Sequence, residues 1–139
     1  MASILVVDDE KSFRDFIETI LQADGHHVVT VGSAIEALRL CRKRHFDLIT
    51  TDLVMPEMDG LELIRALRVT GHGTPVLIIS GITRQVLPVA KLLRAEVLSK
   101  PFDFVELLAA IDSCLGTRLP AEVLPKSPTR TKQRLNKDV

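Results

Sequence analysis

The stretch ITTDLVMPEMDG, Ile49 to Gly60, ends an apolar, β-branched run on a carboxylate, Asp52, then breaks at Pro56 and turns at Asp59-Gly60. An ionised carboxylate buried without a partner is costly, so Asp52 is expected at a strand end with cationic company. The flanking segments say what kind of sheet holds that strand. Ser3–Val7 (SILVV) and Val76–Ile79 (VLII) are continuously apolar rather than alternating, the pattern of strands covered on both faces.

Helical periodicity fills the intervals. Phe13, Phe16, Ile17, Ile20 and Leu21 recur at helical spacing after Ser12, which is read as an N-cap, and stop at Asp24-Gly25. A second strand follows at His27–Val31, then a helix capped by Ser33 and carrying Ile35, Leu38 and Cys41. The third strand is read at Phe46–Thr51, and the next helix from Leu61 to about Val69. Beyond the fourth strand, closed by Ser80-Gly81, a helix over 87–94 contains Pro88. Proline fits the first turn but costs about 3 kcal/mol inside a helix, so this one is expected to be two turns starting near Pro88. Val97 and Leu98 form a short fifth strand. Asp103 caps a last helix with Phe104, Leu107, Leu108, Ile111 and Leu115, ending at Gly116. Strand and helix thus alternate five times, which predicts an α/β, doubly wound, five-stranded parallel sheet with helices on both faces and right-handed crossovers.

The totals agree. Of 139 residues, 46% are hydrophobic and only 4% aromatic, so one aliphatic core is expected. The formal charge is zero but unevenly spread: residues 1–116 carry 12 Lys and Arg against 16 Asp and Glu, residues 117–139 carry 6 against 2. We read 1–116 as the domain and 117–139, with three prolines and little apolar periodicity, as a basic, disordered tail. That tail is too short for a helix-turn-helix, and no direct nucleic-acid binding is expected. The start lacks the charged and apolar regions of a signal peptide, no window approaches a membrane span, and the chain reads as cytoplasmic. Cys41 and Cys114 are read as buried free thiols. His26, His27, His45 and His72 lack metal-ligand spacing and are expected in solvent.

In an open parallel sheet the working edge lies beyond the carboxyl ends of the strands. Asp8 and Asp9 follow the first strand, Asp52 ends the third, Ser80 the fourth, and Lys100 follows the fifth. Three carboxylates at one edge repel unless a hard cation sits among them, and Mg²⁺ favours such oxygen donors. Lys100 adds a compact charge suited to phosphate, and Ser80 a hydroxyl donor. A carboxylate so surrounded is equipped to accept a phosphoryl group, with transferring charge offset electrostatically.

Together, in order, VVDDE, TTDLVMPEMDGLEL, LIISG and LSKPF resemble the receiver domain of two-component response regulators, over about residues 3–116. The resemblance implies the flavodoxin-like strand order 2-1-3-4-5, which the chemotaxis receiver exemplifies. It implies Asp52 as phospho-acceptor, Mg²⁺ held by Asp8, Asp9, Asp52 and the Val54 backbone carbonyl, Ser80 as switch hydroxyl, and Lys100 paired to the phosphoryl group before a cis Pro101. It implies a phosphorylation switch rather than an enzyme acting on other substrates. The donor is then a histidine kinase or histidine phosphotransfer protein, the output a downstream target protein, and the receiver a monomer or weak dimer. Alternatives are a phosphorelay shuttle or sink, or a fragment of a larger regulator or hybrid kinase.

Some positions depart from the family. Val97 stands where a rotating Tyr or Phe is usual, the interval from Ser80 to Lys100 is short, and the usual Gly-Ala pair before the fifth strand is missing. Val54 and Ile82, which by the resemblance flank the hydrolytic water, are both apolar, so slow self-dephosphorylation is expected. The shortened fourth helix is expected to be mobile before phosphorylation.

Overall fold

The computed structural model describes residues 1–82 and 84–116. The sequence-stretches above become β1 (Ser3–Val7), α1 (Lys11–Ala23), β2 (His27–Val31), α2 (Ala34–Lys43), β3 (Leu48–Asp52), α3 (Gly60–Val69), β4 (Val76–Ser80), α4 (Leu87–Leu92), β5 (Ala95–Ser99) and α5 (Phe104–Gly116). The strands form one sheet in the order β2-β1-β3-β4-β5, with every adjacent pair parallel. The basic tail read at 117–139 lies outside the described residues.

Strand side chains alternate between two cores, as the two-residue period of a pleated strand requires. Leu5, Val7, Ile49, Val76 and Ile78 pack with Leu63, Ile64 and Leu67 of α3, Ala37 of α2 and Ala90 of α4. Their neighbours Ile4, Val6, Leu48, Leu77 and Ile79 point the other way, against Ile17 and Leu21 of α1 and Leu107 and Ile111 of α5. So α1 and α5 cover one face, and α2, α3 and α4 the other. Cys41 and Cys114 are buried, one in each core.

Several boundaries differ from the sequence reading, each for a local reason. Helix α1 begins at Lys11, with Glu10 in the cap position and no side-chain cap, rather than at an N-cap on Ser12. Asp8 Oδ1 accepts the Glu10 N–H at 2.9 Å, so the chain turns into the helix directly from the strand end. Strand β3 starts two residues later than read and runs through Asp52, which is registered opposite Ile79. Phe46 lies before it, buried, with the Arg44 guanidinium 4.8 Å above its ring. Strand β5 is longer than Val97-Leu98 because the whole of Ala95–Ser99 ladders against β4. Helix α4 is indeed short, with Pro88 in its first turn and no side-chain cap at Val86. By contrast, Asp59 with Glu62 and Asp103 with Glu106 each close reciprocal capping boxes that fix the starts of α3 and α5.

Two histidines are less exposed than expected. The His26 side chain is nearly buried, accepting the Ala2 N–H at Nδ1 over 3.1 Å, with Nε2 3.3 Å from Asp24. His72 is half-buried because Nε2 reaches the Cys41 carbonyl oxygen at 3.1 Å. Both lie at the edge of the sheet away from the strand carboxyl ends, where they tie loops to helices.

Candidate functional site

The carboxyl ends of β1 and β3 are adjacent strands, so Asp8 and Asp9 come beside Asp52. One carboxylate oxygen from each of the three lies within 4.8 Å of the others. Asp8 is buried, Asp52 half-buried and Asp9 exposed, so the cluster opens to solvent on the Asp9 side. Burial pushes the Asp8 carboxyl above its ordinary range, the Glu10 N–H pulls it down, Asp52 pushes it up, Lys100 pulls it down and Asp9 pushes it up; the net direction is up. Burial is the leading cause, and the neighbouring carboxylates of Asp52 and Asp9 add to it.

Asp52 is held at two points. Its Oδ1 accepts the Leu53 N–H at 2.7 Å, and its Oδ2 lies 3.9 Å from Lys100 Nζ. Lys100 in turn sits 4.3 Å from the centre of the Phe13 ring, a cation–π contact that fixes the ammonium over α1. Its backbone N–H donates to the Ser80 carbonyl at 2.9 Å, and a cis peptide joins it to Pro101. Ser80 is buried at the end of β4, one residue past the Asp52 partner Ile79, and its hydroxyl oxygen accepts the Ile82 N–H at 3.0 Å. The hydroxyl proton therefore stays available to a further acceptor.

Asp8, Asp9, Asp52 and Lys100 are thus brought into one cluster, and Ser80 onto the same edge. Val54 follows in the exposed loop after Asp52, its side chain 64% exposed, and Ile82 is 50% exposed after β4. Three supporting residues escaped the sequence reading. Phe13 was read only as part of an apolar stripe. Arg14 donates from Nη1 to the Asp8 carbonyl at 2.7 Å and holds the end of β1. Gly60, read as a turn, packs so closely that a Cβ there would overlap the Asp52 carbonyl oxygen and come 3.2 Å from Leu53 Cα. Only its position one residue after a capping aspartate hinted at this role.

The donors are hard oxygens with solvent access, and the buried member is pushed up first by burial and then by its acidic neighbours. That fits a small hard dication such as Mg²⁺, which takes a few carboxylates and keeps waters. The family model described as the response regulator receiver domain matches residues 4–112. The chain belongs to this receiver-domain family. Among relatives, it is 36% identical over 130 residues to the response regulator MprA of a Mycobacterium species (strain KMS), covering 92% of this chain and 56% of MprA. The chain therefore spans about half the length of that relative. Among solved structures, the chemotaxis response regulator CheY4 of Vibrio cholerae aligns with a TM-score of 0.77 at 34% identity, over 82% of this chain and 98% of CheY4. The Thermotoga maritima response regulator TrrA, solved in complex with Mg²⁺-BeF, aligns with a TM-score of 0.75 at 27% identity, over 82% of this chain and 99% of TrrA. The fold, the strand order and the receiver reading of the sequence are thereby established; receiver domains bind Mg²⁺ at an acidic pocket, and this chain carries an Asp8, Asp9 and Asp52 cluster.

Proposed function

We propose that this receiver is a cytoplasmic phosphorylation switch that accepts a phosphoryl group from a phosphohistidine protein onto Asp52. The observation that carries the reading is the three-carboxylate cluster with Lys100 Nζ 3.9 Å from Asp52 Oδ2. In the transfer, an Asp52 carboxylate oxygen forms the new bond to phosphorus as the bond from phosphorus to the donor imidazole nitrogen breaks. The electron pair leaves with the imidazole, and Asp52 becomes an acyl phosphate. Lys100 would pair with a phosphoryl oxygen, and Ser80 would turn its free proton toward another. Mg²⁺ held by Asp8, Asp9, Asp52 and the Val54 carbonyl would offset charge on the transferring group. The protein acts on its own side chain rather than on a separate substrate.

A donor surface adjoins the site. An apolar groove between α1 and α5 is lined by Phe16, Ile20, Ala23, Phe104 and Leu108, with Phe102 at its end. The Phe102 ring meets Phe13 edge-on at 6.2 Å, and Lys100 Nζ lies 4.3 Å from the centre of the Phe13 ring, so side-chain contacts link the groove to the acceptor's lysine. A histidine kinase or phosphotransfer protein seated there would present its phosphohistidine to Asp52. Output is by altered affinity for a target protein: phosphorylation adds about −1.5 to −2 charges at one strand end, and this biases the β4–α4 region.

The test is incubation with acetyl phosphate and Mg²⁺, read by intact mass, for wild type and Asp52→Ala. A phosphate-sized mass gain in wild type alone, abolished by chelator, is expected. Equal labelling of the variant, or labelling indifferent to chelator, would overturn the assignment.

A further inference from the structure

The amino edge of the sheet, opposite the acidic cluster, holds a second cavity of about 320 Å³. It is walled by the end of α2, the segment leading into β3 and the turn between α3 and β4. Arg42, Lys43, Arg44, His45 and His72 line it, with Phe46 and Thr74 among them, and no carboxylate does. This is a concentration of positive charge in a domain whose residues 1–116 are net acidic.

The ordinary explanation for cations here is the carbonyl end of α2, whose partial negative charge they would neutralise. Two carbonyls of that end have partners other than the Arg42, Lys43 and Arg44 side chains. The Leu40 carbonyl accepts the Arg44 N–H at 2.9 Å, and the Cys41 carbonyl receives His72 Nε2 at 3.1 Å. His72 Nδ1 lies 3.1 Å from Thr70 Oγ1, while that hydroxyl donates its only proton to the Ala66 carbonyl at 2.8 Å. The His72 ring is thereby held at both nitrogens in the wall of the cavity.

Arg44 is pre-positioned: its guanidinium lies 4.8 Å over the Phe46 ring and within 3.5 Å of Ser3 Oγ. Arg42 and Lys43 form no ion pair within 4 Å among the described residues, whereas His45 leans on Asp47 at 3.3 Å. A planar guanidinium held in place, with two further cations beside it, matches the oxygens of a phosphate group.

From this geometry we infer that the cavity is a binding site for a phosphate monoester about the size of a nucleoside monophosphate. Its volume is at the small end of ligand pockets, larger than a bare anion needs and too small for a dinucleotide. The site is separate from Asp52 and from the phosphodonor groove, because it lies across the sheet from both. Arg44 and Lys43 take the phosphate, and His72 forms the wall on the α3–β4 side.

The test is a heteronuclear NMR titration of the full chain with AMP, adenosine and inorganic phosphate at constant ionic strength, following Phe46, His72 and Thr74. AMP is expected to shift these amides saturably, adenosine is not, and Lys43→Ser with Arg44→Ser should weaken AMP by at least about tenfold, or 1.4 kcal/mol. Asp52→Asn should leave AMP binding unchanged. Thermal unfolding establishes that the double variant is folded. Absence of shifts at millimolar AMP, or equal binding by the folded double variant, would overturn the site. Inorganic phosphate binding as tightly as AMP would overturn the ligand class.

Discussion

Asp8→Asn should stabilise the metal-free protein, although it removes a buried residue's native chemistry. The Asp8 and Asp52 oxygens within 4.8 Å of each other repel by about 3.5 kcal/mol at an effective dielectric of 20. Asp9, exposed and closer to the dielectric of water, adds about 1 kcal/mol. Lys100 pulls the other way and cancels part of this. The Glu10 N–H keeps its acceptor, since asparagine retains the oxygen. A net gain of about 2 kcal/mol remains, or a rise in Tm of about 8 °C for a domain of this size. The pH dependence has a definite sign. The folded-state Asp8 carboxyl is raised, so it holds its proton more tightly than in the unfolded chain. Its contribution to stability is full below the ordinary carboxylate value and is lost as pH rises through the raised one. Wild type in chelator should therefore gain stability on mild acidification, and Asp8→Asn should show less of that gain. Urea unfolding in chelator and in Mg²⁺, at neutral and mildly acidic pH, reads all of this. Mg²⁺ should stabilise wild type by binding the native state and leave the variant nearly unmoved. A variant that is less stable than wild type in chelator would refute the crowding argument.

Three further outcomes follow from contacts around the site. Arg68 donates to four carbonyls, those of Leu93 at 2.9 Å, His72 at 3.0 Å, Thr74 at 2.7 Å and Arg94 at 3.2 Å, clamping α3 to the α4–β5 turn. Arg68→Ala should cost about 3 kcal/mol in urea unfolding and accelerate amide exchange over residues 87–95 more than in β1; a loss under about 1 kcal/mol would contradict the clamp. Gly60→Ala should cost about 2 kcal/mol and weaken Mg²⁺ binding, since the methyl group must displace the Asp52 carbonyl; calorimetric titration with Mg²⁺ at wild-type affinity would count against it. Phe16→Glu should leave labelling by acetyl phosphate intact and slow transfer from a phosphohistidine protein at least about tenfold, about 1.4 kcal/mol; unchanged transfer would remove the groove from the docking surface.

What the sequence disclosed depended on which physical signal was local. Apolar runs closed by Asp8, Asp52 and Ser80 gave the strands and their working ends, because burial on both faces leaves no alternation to confuse. The capping pairs at Ser33 and Asp103 were visible because a cap and its partner lie three residues apart. Ser12 misled because the choice of start rests on the Asp8 side chain taking the Glu10 N–H, a contact across the strand–helix corner. Phe13 under Lys100, and Arg14 on the Asp8 carbonyl, join residues that only the folded sheet edge brings together. His26 and His72 were misjudged for the same reason: their partners, Ala2 and Cys41, are 24 and 31 residues away.

These contacts also bear on how a phosphoryl signal would leave the sheet edge. Half-buried Val97 sits opposite Ile78 in β5, and an aliphatic side chain of that size has no ring to swing between core and solvent. The far end of α4 is clamped through Leu93 and Arg94 by Arg68, so a rigid slide of the helix would break charge-assisted hydrogen bonds. Its near end is different. Val86 provides no side-chain cap, Pro88 donates no N–H, and the only fully buried member of the six-residue helix is Ala90. Before that end, the Ser80 hydroxyl oxygen accepts the Ile82 N–H. Rotating the Ser80 hydroxyl oxygen toward a phosphoryl group at Asp52 would release this N–H and free the β4–α4 connection while Arg68 keeps the other end fixed. The fold therefore favours a change of order at the start of α4, pivoting on its clamped end, over a displacement of the β5 face.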